Sequence, residues 1–194
     1  MTALALLRHA ETAWNAERRI QGRTDVPLSD IGRARLRASS LPGACRGMRV
    51  VTSPLVRCVE TAALLGIPEA PREPRLMEMD WGEWQGTTLE ALRQSLGQSM
   101  QENEALGLDF RPPGGESPRE VRIRVGGWMR ELQEPTLAVT HRGVIRAVLA
   151  LATGWNLLGR PPAKLDWTAV HFFDVDDTGH PRVRELNVKC GAIS

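Results

Sequence analysis

The chain has 194 residues, of which 42% are hydrophobic and 25% charged, the mix of an ordinary globular domain and a length that suits one well-packed core rather than two. Basic and acidic side chains number 25 and 23, for a net charge of +2, so charge gives no reason to expect a nucleic-acid or membrane partner. All but two of the basic residues are arginine, the exceptions being Lys164 and Lys189; codon usage accounts for most of this bias, and forked binding of oxyanions for only a few residues.

Residues 3–8 (ALALLR) form the first strand-like run. Short, unbroken apolar segments of this kind suit strands buried on both faces, as in a parallel sheet. The apolar start is interrupted by Arg8-His9, too early for a signal-peptide core or a bilayer span. An amphipathic helix is expected from Ser29 to about Leu41, where Pro42-Gly43 stops it, followed by a second strand-like run at 48–52. Ser53-Pro54 supplies an N-cap and a proline at the first helical position, and Val56, Val59 and Ala63 then recur on one face until Gly66. Thr87-Thr88-Leu89-Glu90 has the form of a capping box, heading a helix with Leu89, Leu92 and Leu96 at helical spacing.

The segment 104–116, with Gly107, Pro112-Pro113 and Gly114-Gly115, suits either a mobile lid or a fixed loop. Ser117-Pro118-Arg119-Glu120 is a second box, whose helix would turn Val121, Val125, Trp128 and Leu132 inward. Gly126-Gly127 weakens that helix by about 1 kcal/mol per glycine relative to alanine. A third apolar run at 136–140 leads into a helix over about 143–153 that ends at Gly154. Residues 168–175 and 182–188 form a strand pair around Asp176-Asp177-Thr178-Gly179.

No internal repeat, low-complexity tract or Gly/Ser-rich linker divides residues 1–194, so a single domain is expected. Strands alternating with helices imply an α/β fold: a three-layer α/β/α sandwich with a mostly parallel central sheet. Such sheets bind ligands at the carboxyl ends of their strands. His9 directly follows the first strand and His141 the strand 136–140.

A single histidine beside an apolar run suits the core as well as a site. Arg8 immediately before His9 favours an anion site, and Arg57 adds to it from the first turn of the helix after Ser53. Free N–H groups and the positive end of the helix dipole favour an anion there, and His141 heads another helix. Two arginines, two histidines and helix N-termini at one sheet edge would make a phosphate pocket.

The stretches LLRHAETAWN (6–15), QGRTDVPLSDIG (21–32), TSPLVRCVETA (52–62), LMEMDWGEWQG (76–86), PPGGES (112–117) and VTHRGVIR (139–146) resemble the histidine phosphatases, the phosphoglycerate-mutase-like superfamily, and run in that family's order. Six ordered blocks are highly specific where R-H-x-E-T alone is only suggestive. The resemblance implies that His9 accepts the phosphoryl group and that Glu78 is the general acid and base. It also implies that Arg8, Arg57 and His141 hold the equatorial phosphate oxygens, with Asn15, Gln21, Gly22 and the backbone at Arg142-Gly143 as further substrate contacts.

Physical chemistry supports these roles independently. A neutral imidazole is nucleophilic, and flanking arginines favour that form of His9. A backbone carbonyl would fix its tautomer. Arginine forks supply positioning and charge stabilisation without a metal. An alkoxide leaves poorly unless protonated, and water must then be deprotonated to release the phosphohistidine; one carboxyl group at Glu78 can do both.

Three departures from the family pattern stand out. Ala10 replaces a common glycine. Arg142 replaces a small residue, and either narrows the mouth, reaches a second anionic group or points to solvent. The chain is also shorter around residues 90–110 than family mutases usually are, and less enclosure favours hydrolysis by water.

The expectation is therefore a metal- and cofactor-independent cytoplasmic phosphomonoesterase acting on a small phosphorylated metabolite. The alternatives are a cofactor-dependent phosphoglycerate mutase and a catalytically silent phospholigand-binding module, which would have no need of a proton donor. Cys45, Cys58 and Cys190 form no C-x-x-C and suit a reducing compartment. Cys58 reads as inert core, His171 and His180 as structural or exposed, and Trp81 and Trp84 as loop packing. The sequence has no G-x-G-x-x-G, Walker A, H-E-x-x-H or G-x-S-x-G.

Overall fold

A computed structural model describes residues 1–192. Strand β1 (Thr2–Arg8) lies beside β4 (Thr136–Thr140), which lies beside β3 (Arg49–Thr52). All three run parallel, in a register that sets Arg8 level with Thr140 and Thr52 level with Val139. β5 (Val170–Val175) is antiparallel to β1, and β6 (Pro181–Val188) is antiparallel to β5. β6 therefore points with the first three, and the sheet β3-β4-β1-β5-β6 is mostly parallel as the apolar runs imply. The tight turn at Asp176–Gly179, where Gly179 adopts a φ of +81° and Asp176 N–H donates to His180 O, reverses the chain from β5 into β6.

Every residue of β4 is buried, as are Leu4–Leu7 of β1. Because strand side chains alternate between faces, Leu4 and Leu6 pack with residues of α6 (Pro118–Met129) and α7 (Arg142–Thr153), while Ala5 and Leu7 face the opposite side. On that opposite side Val139 meets Cys58 and Ala62 of α3 (Val56–Leu64), against which α2 (Asp30–Arg37) packs. These are the three layers. The remaining helices, α1 (Ala13–Ala16), α4 (Leu89–Leu96) and α5 (Gln98–Glu104), belong to the carboxyl-end loops. Among the described residues no helix is long and apolar enough to cross a membrane.

Several boundaries differ from the expected ones. α2 ends at Arg37 instead of about Leu41, because Ser39–Ser40 (β2) pairs with Gly191–Ala192 (β7). The N-cap of α3 is Leu55, not Ser53, whose hydroxyl instead meets the ring of His141. α4 is capped by Thr88, one residue later than expected, so Glu90 misses the N3 position of a capping box. The box at Ser117 and Glu120 forms as read, with Val121, Val125 and Trp128 inward, but α6 ends at Met129 and Met129 rather than Leu132 completes its buried face. α7 stops at Gly154 in the left-handed conformation that glycine adopts without strain.

The segment 104–116 is tied to its surroundings by hydrogen bonds near both ends. Asn103 exchanges hydrogen bonds with the backbone of Arg111 at 2.8 and 3.0 Å, and Glu116 N–H donates to Asp80 O at 2.9 Å. Trp84 is buried against Phe110, which Trp81 also meets edge-on, so both indoles do pack this region.

Candidate active site

The register of β1 and β4 brings their ends together, and His9 N–H donates to Thr140 O at 2.9 Å. The rings of His9 and His141, distant in sequence, lie 5.2 Å apart between centroids at 58° to each other. His9 Nδ1 is 2.7 Å from Ala10 O. A carbonyl only accepts, so Nδ1 carries the proton and the lone pair is left on Nε2. Ala10 in turn donates its N–H to Thr61 Oγ1 at 3.0 Å, which anchors this turn to α3.

His141 is the N-cap residue of α7 and is fully buried. Its Nδ1 accepts from Arg57 Nε at 3.3 Å, so its proton lies on Nε2, 2.8 Å from Ser53 Oγ. Burial, followed by Arg8 and Arg57, holds the His9 pKa well below its ordinary value of 6.5, with the Ala10 carbonyl opposing. Burial, followed by Arg57, does the same to His141. Both imidazoles are thus neutral bases at physiological pH.

The arginines differ from each other. Arg8 Nε is buried and has no hydrogen-bond partner. Arg57 is fully buried and donates from Nη1 to Thr24 O at 2.8 Å and from Nη2 to Gly22 O at 2.7 Å. With its Nε engaged by His141, two of its five N–H groups remain. Gly22 presents its carbonyl from a left-handed turn, φ +51°, that disfavours any side chain.

Glu78 stands at the first turn of α7. Its Oε1 accepts from Met79 N–H at 2.8 Å and from Gly143 N–H at 3.1 Å, and Oε2 lies 3.2 Å from the same Gly143 nitrogen. The helix N-terminus therefore holds the carboxylate as it would hold any anion.

Arg8, His9, Glu78, Asn15, Gln21, Gly22, Arg142 and Gly143 all line one cavity of about 1030 Å3. Arg57 and His141 are fully buried behind this wall, with the His141 ring against that of His9. Asn15 Oδ1 accepts from Thr12 N–H, closing the capping box of α1, and Gln21 Oε1 accepts from Thr12 Oγ1. Arg142 is exposed and rests on the face of Trp167. Cys58 is buried, with burial pushing its thiol well above the ordinary value, which fits inert core; its Sγ lies 3.4 Å from His141 Nε2. His171 is buried with Nδ1 accepting from Asn187 N–H, and His180 is exposed.

Sequence reasoning missed the residues that position the Glu78 main chain. Arg124 donates to Glu78 O at 3.3 Å and pairs with Glu116 at 2.7 Å, and Glu116 also meets Arg23 at 3.4 Å. Gln85 Oε1 accepts from the backbone N–H groups of Arg23 and Thr24, fixing the turn that carries Gly22. Gln85, Arg23 and Glu116 lie inside the six matching blocks, so the blocks were the available signal; Arg124 lies outside them. Among the described residues no group of three or more His, Cys, Asp or Glu side chains is arranged to hold a metal ion.

The depressed imidazoles make stability pH-dependent. Both favour the folded chain fully above the unfolded value of 6.5, and this contribution is lost as pH falls below it toward the lower folded values. The melting temperature of the wild type is expected to fall more steeply between pH 7 and pH 5 than that of a His9→Gln/His141→Gln variant. Equal slopes would assign the acid sensitivity to other groups.

The sequence model of the histidine phosphatase superfamily (branch 1) matches residues 4–189. A 2,3-bisphosphoglycerate-dependent phosphoglycerate mutase of Gloeobacter violaceus is 32% identical over 163 residues, 77% of this chain and 74% of that protein. A glucosyl-3-phosphoglycerate phosphatase of Mycolicibacterium vanbaalenii is 32% identical over 178 residues, 80% of this chain and 78% of that protein. Among solved structures, that of TTHB049 from Thermus thermophilus superposes with a TM-score of 0.75 at 32% identity, covering 96% of this chain and 99% of the other.

Proposed function

The chain belongs to the histidine phosphatase superfamily, and we propose that within it this protein is a phosphomonoesterase that hydrolyses small phosphate esters through a phosphohistidine on His9. The observation that carries the proposal is the pairing of a tautomer-fixed imidazole with an uncompensated cation. His9 Nδ1 is bound to Ala10 O at 2.7 Å, and the neighbouring Arg8 Nε is buried without a partner. A buried guanidinium donor left unmatched costs stability unless an anion meets it.

In the first step His9 Nε2 attacks phosphorus, the P–O bond to the ester breaks, and the proton of Glu78 goes to the departing alkoxide. In the second step Glu78 takes a proton from water as its oxygen attacks the phosphohistidine. The P–N bond breaks, its electron pair returns to Nε2, and phosphate leaves. Arg8 faces the charge that develops on phosphorus and Arg57 adds its positive charge from behind, the task a metal ion performs in other phosphoryl-transfer sites. His141 joins them by exchanging its Ser53 contact for a phosphate oxygen.

The Mycolicibacterium relative, named as a phosphatase, supports hydrolysis. The Gloeobacter relative favours a mutase as the second reading. Incubation with 3-phosphoglycerate and with p-nitrophenyl phosphate, each with and without a bisphosphoglycerate primer, separates them. Free phosphate without primer is expected; primer-dependent isomerisation with no phosphate release would assign the mutase.

A further inference from the structure

Past His9 the cavity continues beside α7, and its charges are unevenly matched. Toward α1 and α4, Arg19 pairs with Glu17 at 3.3 Å and Arg93 with Glu104 at 2.7 Å. On the α7 wall the carboxylate of Glu78 is held by backbone N–H groups and, among the described residues, forms no ion pair with an arginine. Arg142 and Arg146 lie four residues apart, and therefore on one face of the helix. Among the described residues neither pairs with a carboxylate. Each is laid against an indole instead, Arg142 at 4.9 Å from the Trp167 ring centroid and Arg146 at 5.1 Å from that of Trp155. A guanidinium stacked in this way keeps its in-plane N–H groups free for an oxyanion while losing rotational freedom.

We infer that Arg142 and Arg146 form a second anion subsite, and that the preferred substrate is a phosphate ester bearing a further anionic group, carboxylate or phosphate, on its organic part. The inference rests on the phosphoryl group occupying the His9 pocket. Glu78, bonded to Gly143 N–H next to Arg142, then stands between the two subsites, where a proton donor to the bridging ester oxygen has to be. The charges along this wall also act on one another. Burial and then Arg142 lower the pKa of Arg146, and burial and then Arg142 lower that of Arg8, with Glu78 opposing in both cases. An anion bound at each end relieves that repulsion, which a neutral leaving group cannot do.

Two substrate pairs test this. One is 3-phosphoglycerate against glycerol 3-phosphate, in which a hydroxymethyl group replaces the carboxylate. The other is 1,3-propanediol bisphosphate against propyl phosphate. The kcat/KM for phosphate release is measured for the wild type, Arg142→Ala, Arg146→Met and Arg146→Lys. In at least one pair the charged member is expected to be favoured, and either neutral variant to lower that preference about tenfold, the worth of one charged hydrogen bond. Arg146→Lys should retain part of it. The pair that responds identifies the group as carboxylate or phosphate. A wild-type preference near one in both pairs, or variants that slow both members of a pair equally, would overturn the subsite.

If none of these esters, and not p-nitrophenyl phosphate either, releases phosphate, it is the hydrolytic reading that fails. Calorimetric titration of the same pairs then decides the subsite alone. Tighter binding of a charged member to wild type than to Arg146→Met supports it, and equal binding overturns it.

Discussion

On an alkyl phosphate, Glu78→Gln is expected to lower kcat/KM by about three orders of magnitude, within the range of one general acid. On p-nitrophenyl phosphate the same variant should release its first equivalent of nitrophenolate at near the wild-type rate and then stall. The difference lies in the leaving group: an alkoxide needs a proton and a nitrophenolate does not. In the proposed mechanism both substrates give the same phosphohistidine, whose hydrolysis needs a base that glutamine cannot supply. The substitution is suited to the test because Oε1 accepts from both Met79 and Gly143 N–H groups, and only the longer 3.2 Å approach of Oε2 to Gly143 would be lost. The glutamine carbonyl can keep both bonds, so the side chain stays in place while its proton chemistry is lost. Rapid-quench measurement of the two substrates reads the contrast directly. Equal slowing of the first step on both would remove Glu78 from the donor role.

Gly143→Ala should produce much of the same defect without touching a reacting atom. A Cβ at this position would lie 2.2 Å from Glu78 Oε1, so the carboxylate has to move. The backbone itself has no objection: position 143 is in the first turn of α7, and alanine favours a helix over glycine by about 1 kcal/mol. Activity on an alkyl phosphate is expected to fall about a hundredfold, the lower end of the contribution of general acid catalysis. The melting temperature should hold within a few degrees. Steady-state kinetics beside a thermal melt separates these two effects. Full activity in this variant would mean that the Glu78 position at the head of α7 is not the working one.

The legible parts of the fold were those determined by local chemistry. Unbroken apolar runs located β1, β3 and β4, and with them the adjacency of His9 and His141, because strand ends in a parallel sheet share one edge. Ser117 and Glu120 cap α6 as read, since both partners of that box lie within one turn. The misread boundaries have partners far away in the chain. Ser53 has the composition of an N-cap, but its hydroxyl is bound to a ring at position 141. Ser39–Ser40 would extend α2 on local grounds, yet pair with Gly191–Ala192.

The site shows the same division. Residue types at the strand ends marked Arg8, His9, Arg57 and His141 as one constellation, the family resemblance added Glu78, and the structure brings the five together. What could not be read was which arginine faces the cavity. Arg57 is occupied by Gly22 and Thr24 carbonyls whose approach depends on Gln85, whereas Arg8 Nε is left unmatched. Arg146 lies at the end of the block VTHRGVIR, but nothing there indicated that it lines the cavity without a carboxylate partner. Its exposure to the cavity depends on the absence of a carboxylate opposite, a property of the tertiary arrangement.

The most direct test mixes the Glu78→Gln protein with p-nitrophenyl phosphate carrying labelled phosphorus, quenches in alkali and maps the labelled peptide. A label near one equivalent per chain, stable to base, lost in acid and located on His9, is the predicted result. Label that never rises above background during a nitrophenolate burst, or that resides on another side chain, would contradict nucleophilic attack by His9.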